Sequence, residues 1–296
     1  MKEKLRQPPW RKQVSKKVTV ITTTYQDLEH LKKTMESLKS QDYDNLEYIV
    51  VDGGSKDGTL DYLTDQRKYF DKRGWSYTFC SGKDEGIYDA INKGIELAKG
   101  DIIGFLFDCF ACGDALSRMI AAMEKEDADG VHADLDYIDE EGKLVRHWEM
   151  KNSGKLEEGW MPAHPTMYLK KEIYDQYGVY KINYRIAADY EFMVRIFKDR
   201  RVKLAYIPDV LIHMFYGGTS TSGAESYIQS FMESMRALKE NKVPHRFKIC
   251  LVRTFRVASQ FYIQEEEIEN MKKREALRLE ELKKLKEREA AEKEEV

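Results

Sequence analysis

The chain has 296 residues, a net charge of −3 and 42% hydrophobic residues. This length is enough for one large α/β domain with an appendage, and the small net charge gives no reason to expect nucleic-acid binding. No run of about 18 apolar residues predicts a membrane-spanning helix, and the basic, polar residues 1–17 lack the apolar segment of a secretory signal. Four scattered cysteines do not make a disulfide framework, so the cytoplasm is the expected compartment.

Apolar strands and amphipathic helices alternate from residue 17 to about residue 136. Strands are predicted at residues 17–22, 46–51, 77–80, 101–106 and 130–137, with helices between them. In the helix at residues 86–98, we expect four side chains to face inward: Ile87, Ile91, Ile95 and Leu97. This alternation predicts an α/β fold with a Rossmann-like, mostly parallel central sheet flanked by helices. Other doubly wound folds share the pattern.

Residues 137–222 are rich in aromatic residues and irregular in pattern, interrupted by a predicted helix at about 186–197 and a strand at 202–207. Aromatic rings in loops can cover the apolar faces of a sugar. A well-packed second half would explain the individual aromatic residues equally well. The segment is therefore interpreted as an acceptor half, next to a nucleotide-binding half at residues 17–136.

The rest of the chain is predicted to be helical. At residues 246–263 a stripe that includes Phe247, Leu251 and Phe255 could lie on an anionic membrane surface or pack against the globular body. Residues 264–296 are dominated by Glu, Lys and Arg, which predicts a solvated or frayed helix, or else a short coiled coil. The predicted organisation is a basic tail (1–16), a main domain (17–222), C-terminal helices (223–263) and a charged helical or disordered tail (264–296).

Three short motifs stand at strand ends or helix starts, where an α/β sheet binds a nucleotide. They are DGGSKDGT at residues 52–59, DEGIYDAINKG at residues 84–94 and AADYEF at residues 187–192. In this order, over residues 17 to about 222, they resemble the inverting family 2 glycosyltransferases of the GT-A fold, of the bacterial surface-polysaccharide type. The order of the motifs is more specific than any one of them.

The resemblance implies a GT-A fold with an α-helical C-terminal extension. It also implies a hexosyltransferase-type enzyme that transfers a sugar, with inversion, from a nucleotide-diphosphate sugar, expected to be a UDP-sugar, to a glycan or lipid-linked acceptor in cell-surface polysaccharide biosynthesis. Such an enzyme would be cytoplasmic or peripheral to the inner membrane, with membrane contact or coiled-coil self-association through its C-terminal helices. The alternative is a catalytically impaired relative that binds nucleotide sugar or a partner as an assembly component.

By the same resemblance, the donor-binding residues are Thr23, Tyr25, Asp52, Asp84 and Lys93. Asp52 could accept the imide N–H of uracil, Asp84 would face the base, and Lys93 would lie near the pyrophosphate. Gly53 stands where relatives often carry a second Asp, and Gln26 replaces a usual Asn. Asp89 and Asn92 are expected to brace the loop and helix of this motif.

The implied metal site is altered in this chain. After their fourth strand, relatives carry two carboxylates that hold a divalent cation, Mg²⁺ or Mn²⁺, on the donor phosphates. Here Asp108 is the one carboxylate that remains, and Cys109 is a poor ligand for a hard cation. Either Asp108 and the phosphates hold the ion weakly, or the site is defective. His213 could add a ligand, although a strand histidine is more often structural.

Asp189, near the predicted start of a helix, resembles the family's general base, which deprotonates the acceptor hydroxyl. The alternative role is a helix cap. Glu191 is the nearest rival, but two positions further along it should point to a different face of the helix. The resemblance implies that the acceptor side is lined by His164, Glu191, Arg195, Gly218 and Ser220.

Overall fold

The computed structural model describes residues 16–139, 141–150, 154–198, 200–216, 223–259 and 273. In this part of the chain the strands are β1 (Val18–Thr24), β2 (Leu46–Asp52), β3 (Ser76–Ser81), β4 (Ile102–Phe105), β5 (Cys109–Phe110), β6 (Gly130–Ile138), β7 (Leu144–Trp148), β8 (Tyr168–Lys170) and β9 (Leu204–Phe215). The helices are α1 (Leu28–Lys39), α2 (Thr59–Arg73), α3 (Ile87–Leu97), α4 (Ala115–Glu126), α5 (Lys171–Tyr177), α6 (Ala188–Phe197), α7 (Gly223–Glu240) and α8 (Arg246–Ser259). Two short 3-10 helices cover Leu156–Glu158 and His164–Thr166.

The strands form one sheet in the order β3-β2-β1-β4-β8-β6-β9-β5, with β7 paired to β6. Pairs β1–β2, β1–β4, β2–β3 and β6–β9 are parallel. Strand β8 runs antiparallel between β4 and β6, and β5 and β7 are antiparallel to their neighbours. The predicted α/β sheet is therefore confirmed as a mixed sheet: the half β3-β2-β1-β4 is parallel, as expected, and antiparallel strands lie in the second half.

Helices cover both faces of the sheet because successive strand residues point to opposite sides. On one face, Val20 of β1 belongs to the core that includes Met35 of α1. On the other face, Ile21 belongs to the core that includes Ile91 of α3. Gly94 lets α3 approach β1 closely, since an added Cβ would lie 2.5 Å from Ile21 Cγ2. This contact fixes the helix that carries the second motif.

Three details of the sequence prediction are corrected by the structure. Ile87 is 51% exposed because it is the first residue of α3, and Leu97 is 38% exposed because it lies away from the buried stripe of this helix. Helix α6 begins at Ala188 rather than at residue 186. Strand β9 continues to Phe215, well past residue 207, because an irregularity in its pairing with β6 accommodates Pro208.

Helices α7 and α8 form a hairpin beside α6, which confirms a helical C-terminal part. Phe231 of α7 meets Phe247 of α8 edge to face, with ring centroids 6.3 Å apart. The predicted stripe of α8 does not pack on the body over the residues described, since Phe247 and Phe255 are more than 60% exposed. None of the helices described has the length and apolar character needed to cross a membrane. Residues 264–296, apart from residue 273, lie outside the described part.

Candidate functional site

Residues from the end of β1, the loop after β2 and the loop before α3 converge at one place on the surface. The Tyr25 ring is 65% exposed there. A Cβ added to Gly53 would lie 3.0 Å from Tyr25 Cδ2 and 3.3 Å from Asp84 Oδ2. This close approach explains the glycine at position 53, because a carboxylate there would crowd the ring and face Asp84. We call Tyr25, Gly53 and Asp84 the Tyr25 cleft.

Asp52 is fully buried beside this cleft, and its carboxylate already has three donors. It accepts hydrogen bonds from the backbone N–H groups of Gly54 at 3.2 Å and Ser55 at 3.1 Å, and from the Ser81 hydroxyl at 2.5 Å. Thr24 of β1 pairs with Asp52 of β2, and the preceding residue, Thr23, is half-buried. In this arrangement Asp52 shapes the loop after β2.

Lys93 and Asp84 are bound to each other within the second motif. The Lys93 ammonium contacts Asp84 Oδ1 and lies 3.0 Å from Asp89 Oδ2. Both carboxylates raise the pKa of Lys93 by hydrogen bonding. Asn92 exchanges two hydrogen bonds with the backbone of Tyr180, at 2.8 and 3.0 Å, and so ties α3 to the segment that precedes α6.

Asp189 is the second residue of α6, and Tyr88 of the second motif reaches it. The Tyr88 hydroxyl lies 3.3 Å from Asp189 Oδ1 and 2.5 Å from the Ile186 carbonyl oxygen. The cap position of α6 is Ala187, and no side chain caps this helix end. The Asp189 carboxylate, which is half-exposed, is therefore not used as a cap, while the positive helix N-terminus favours its charge.

Glu191 points to another side of α6 and is fully buried. It forms ion pairs of 2.9 Å with Lys181 and with Arg195, and it accepts a hydrogen bond of 3.1 Å from Asn241. Burial opposes its charge, but the hydrogen bonds prevail and lower its pKa. Arg195 also donates to the carbonyl groups of Tyr177 and Val179. Glu191 and Arg195 therefore fasten α6 to its surroundings.

His164 is buried near the same end of the sheet. Its Nε2 lies 2.7 Å from the Tyr180 hydroxyl, and its ring stacks on Phe105 and Phe107. Burial lowers the pKa of His164, which keeps the imidazole neutral. The other two residues expected to line the acceptor side, Gly218 and Ser220, lie outside the described residues.

Asp108 lies after β4, almost fully buried, and pairs with a residue that the sequence did not single out. His30 Nε2 contacts Asp108 Oδ1 and lies 3.0 Å from the Phe107 carbonyl oxygen. The hydrogen bond to Asp108 raises the pKa of His30. The only signal in the sequence was a histidine in the first turn of the helix after β1. Cys109 lies opposite His213 across the β5–β9 pair.

Burial and the surrounding charges shift the pKa of Tyr137. Burial is the main cause of the raised pKa of Tyr137, and the charges of Asp108 and Asp189 raise it further. The Arg146 guanidinium lies 4.8 Å from the centroid of this ring.

A divalent cation does not fit the arrangement around Asp108. His30 Nε2 faces two acceptors, a carboxylate and a carbonyl oxygen, so it carries a proton and cannot ligate a metal through that atom. Within the described ranges, no three His, Cys, Asp or Glu side chains converge as they would in a site built from protein ligands alone.

The sheet order, the Tyr25 cleft and the acidic start of α6 define a GT-A glycosyltransferase. The sequence profile of Glycosyl transferase family 2 matches residues 19–188, more than half of the chain, and the chain belongs to this family. An uncharacterized glycosyltransferase of Mycobacterium tuberculosis is 31% identical over 189 residues, 60% of this chain and 68% of the relative. A PGL/p-HBAD biosynthesis glycosyltransferase of Mycobacterium bovis is 26% identical over 197 residues, 64% of this chain and 73% of the relative.

Two solved structures share the fold. Staphylococcus aureus TarS 1-349 in complex with UDP-GlcNAc superposes with a TM-score of 0.62 at 17% identity, over 81% of this chain and 72% of that one. The chain spans 43% of the longer TarS structure. The Pyrobaculum calidifontis mannosyltransferase in complex with GDP-Man and Mn²⁺ superposes with a TM-score of 0.56 at 17% identity, over 91% of this chain and 85% of that one. The predicted family, fold and enzyme class are confirmed.

Proposed function

We propose that this glycosyltransferase transfers a sugar from a UDP-sugar, with inversion, to a glycan or lipid-linked acceptor in the synthesis of a cell-surface polysaccharide or glycolipid. The observation that carries the proposal is the contact of Tyr88, from the second motif, with Asp189, 3.3 Å between hydroxyl and carboxylate. It links the motif expected to hold the donor to the proposed base. The relative named for PGL/p-HBAD biosynthesis and the TarS complex with UDP-GlcNAc support the pathway and donor class.

Base recognition is proposed to depend on Asp84. Its Oδ1 is bound to Lys93, whereas Oδ2 faces Gly53 in the Tyr25 cleft. A base stacked on the exposed Tyr25 ring would meet that oxygen at its edge. Uracil presents an imide N–H donor there, whereas cytosine presents an acceptor at the same ring position. A carboxylate accepts only, so the cleft should favour UDP over CDP.

Asp189 is proposed as the general base. The acceptor hydroxyl oxygen forms a bond to the anomeric carbon while the bond from that carbon to the diphosphate oxygen breaks. The hydroxyl proton goes to the Asp189 carboxylate, and UDP leaves with the bonding electrons. Attack on the side opposite the leaving group inverts the anomeric carbon. Glu191 is excluded from this role because two cations and an amide already occupy its carboxylate.

Calorimetric titration with UDP, CDP and GDP tests the donor assignment. The wild-type protein should bind UDP at least tenfold more tightly than CDP, about 1.4 kcal/mol, which is within the range for leaving one buried group unpaired. Asp84→Asn should lose most of this preference, because an amide can donate to cytosine. The exposed Asp61→Asn is the matched control and should keep it. Equal affinity for UDP and CDP in the wild-type protein would refute the assignment.

The α7–α8 hairpin is proposed to rest on an anionic membrane surface, where a lipid-linked acceptor would be found. Its large exposed apolar side chains are Tyr227, Ile228, Met232, Phe247, Leu251 and Phe255. Residues 241–259 contain five Lys or Arg and no Asp or Glu, which suits anionic lipid. Glu233 of α7 accepts hydrogen bonds of 2.8 to 2.9 Å from backbone N–H groups at residues 185–187, just before Asp189. The hairpin would thus orient the active site toward the membrane.

Co-sedimentation with vesicles tests this contact. Binding should be strong to vesicles containing phosphatidylglycerol, weak to phosphatidylcholine alone, and lost in Phe247→Ser combined with Phe255→Ser. The matched control is Tyr69→Ser, which alters an exposed aromatic residue on α2, far along the chain from the hairpin. If the double variant instead turns a dimer into a monomer in light scattering, the hairpin is a self-association surface.

A further inference from the structure

His30 is held in place from several sides. It lies in the first turn of α1, where its backbone N–H donates to the capping Asp27 carboxylate at 3.3 Å. Its ring meets Phe215 of β9 edge to face, with centroids 5.3 Å apart. These contacts direct Nε2 toward Asp108 and the Phe107 carbonyl oxygen. The position and orientation of the imidazole at the end of β4 are therefore fixed by its contacts.

The residues that could help Asp108 hold a cation, Cys109 and His213, already have interaction partners. Cys109 offers a soft thiol, which is a poor ligand for a hard cation, and this thiol is hydrogen-bonded to Ser37. His213 already has an interaction partner. The Asp108 side chain is only 7% exposed, and its Oδ1 contacts His30. A cation would have to displace His30 to reach that oxygen.

We propose that His30 stands in the place of a divalent cation beside Asp108, so that this enzyme binds its nucleotide donor without a metal ion. The inference rests on the proposed function only in taking a nucleotide-diphosphate sugar as the donor. It departs from the mannosyltransferase of the same fold whose structure contains Mn²⁺. His30 then acts as a positioning residue that fixes the Asp108 carboxylate through an N–H group rather than through an ion.

Nuclear magnetic resonance of the full chain labelled with ¹⁵N-histidine tests the inference directly. The chain has six histidines, and a His30→Gln variant assigns the His30 resonances. Nε2 of His30 should carry a proton, and Mn²⁺ at millimolar concentration, with or without UDP, should leave its signal unbroadened. Selective broadening of the His30 signal by Mn²⁺ would overturn the inference.

Calorimetry provides a second test, because it measures the affinity for UDP with and without Mn²⁺. The affinity of the wild-type protein for UDP should agree within twofold in Mn²⁺ and in EDTA, whereas a tenfold gain in Mn²⁺ would contradict the inference. His30→Ala frees Asp108, so its UDP affinity should rise at least threefold with Mn²⁺. His213→Ala, which removes the other candidate ligand, should stay indifferent to the ion. A His30→Ala protein that is equally indifferent would remove the role given to His30.

The two proposals fail in different ways. Absence of nucleotide binding in both buffers would count against the proposed donor. The Mn²⁺ titration of the ¹⁵N-histidine-labelled protein without nucleotide would still test the role of His30. It measures broadening of the His30 signal by an ion close to the His30–Asp108 pair.

Discussion

Replacing Asp189 with Asn distinguishes a catalytic role of this carboxylate from a purely structural one. Asn keeps the size of the side chain and its contact with Tyr88, 3.3 Å in the wild-type protein, but does not accept a proton. The side chain does not cap α6, whose cap position is Ala187. The variant therefore changes the chemistry at this position and little else.

The expected effects on rate and on stability differ widely in size. Loss of a general base lowers turnover by about two to four orders of magnitude, which corresponds to about 3 to 5 kcal/mol of activation free energy. A charge at a helix N-terminus contributes only about 0.3 to 1 kcal/mol to stability. Asp189→Asn should therefore lower turnover strongly while the free energy of unfolding changes by less than about 1 kcal/mol.

Turnover is measured as UDP release at a saturating donor concentration, and stability is measured by urea unfolding. Glu191→Gln is the matched control two residues away, and it should show the opposite pattern. Removing one partner of a buried ion pair costs about 3 to 5 kcal/mol of stability, and Glu191 is paired with both Lys181 and Arg195. An Asp189→Asn protein that turns over within threefold of the wild type would refute the assignment of the base.

Three further outcomes are expected. Gly53→Asp should weaken UDP binding at least tenfold in calorimetry, because its Cβ would lie 3.0 Å from the Tyr25 ring. The control Gly82→Asp should leave UDP binding unchanged, because an added Cβ meets nothing within 4 Å there. Asp52→Ala should lower the free energy of unfolding by about 1 to 3 kcal/mol, because it leaves buried N–H groups without an acceptor; unchanged stability in urea would contradict the role of Asp52 in the loop. Burial raises the pKa of Asp134 to about 6 from its usual value of 3.8. The ionisation of this carboxyl group therefore lowers the free energy of unfolding of the wild-type protein as pH rises from about 4 through 6, by up to about 3 kcal/mol. Asp134→Asn should remove this loss, and an equal stability difference from wild type at pH 4 and pH 7.5 would contradict it.

The alternation of strands and helices and the position of Asp189 could be predicted from the sequence because both depend on neighbours along the chain. Apolar spacing identified the parallel strands β1 to β4. The rotation of about 100° per helical residue was enough to expect Glu191 on another face from Asp189. The order of the motifs identified the family, which the match over residues 19–188 confirms.

Features that depend on distant pairings could not be predicted in the same way. The antiparallel insertion of β8 between β4 and β6 joins strands far apart in sequence. The pairing of His30 with Asp108 arises because the ends of β1 and β4 are adjacent in the sheet, which no local pattern shows. The reason for Gly53 appears only when Tyr25 and Asp84 are seen to converge on it.

Product analysis over a panel of UDP-, GDP- and CDP-sugars tests whether the protein catalyses inverting transfer from a UDP-sugar. The full-length wild-type protein should release nucleotide from at least one UDP-sugar, faster than from the GDP- and CDP-sugars. The anomeric configuration of the transferred sugar, read by nuclear magnetic resonance, should be opposite to that of the donor. A product that retains the donor configuration, or turnover confined to donors other than UDP-sugars, would contradict the account.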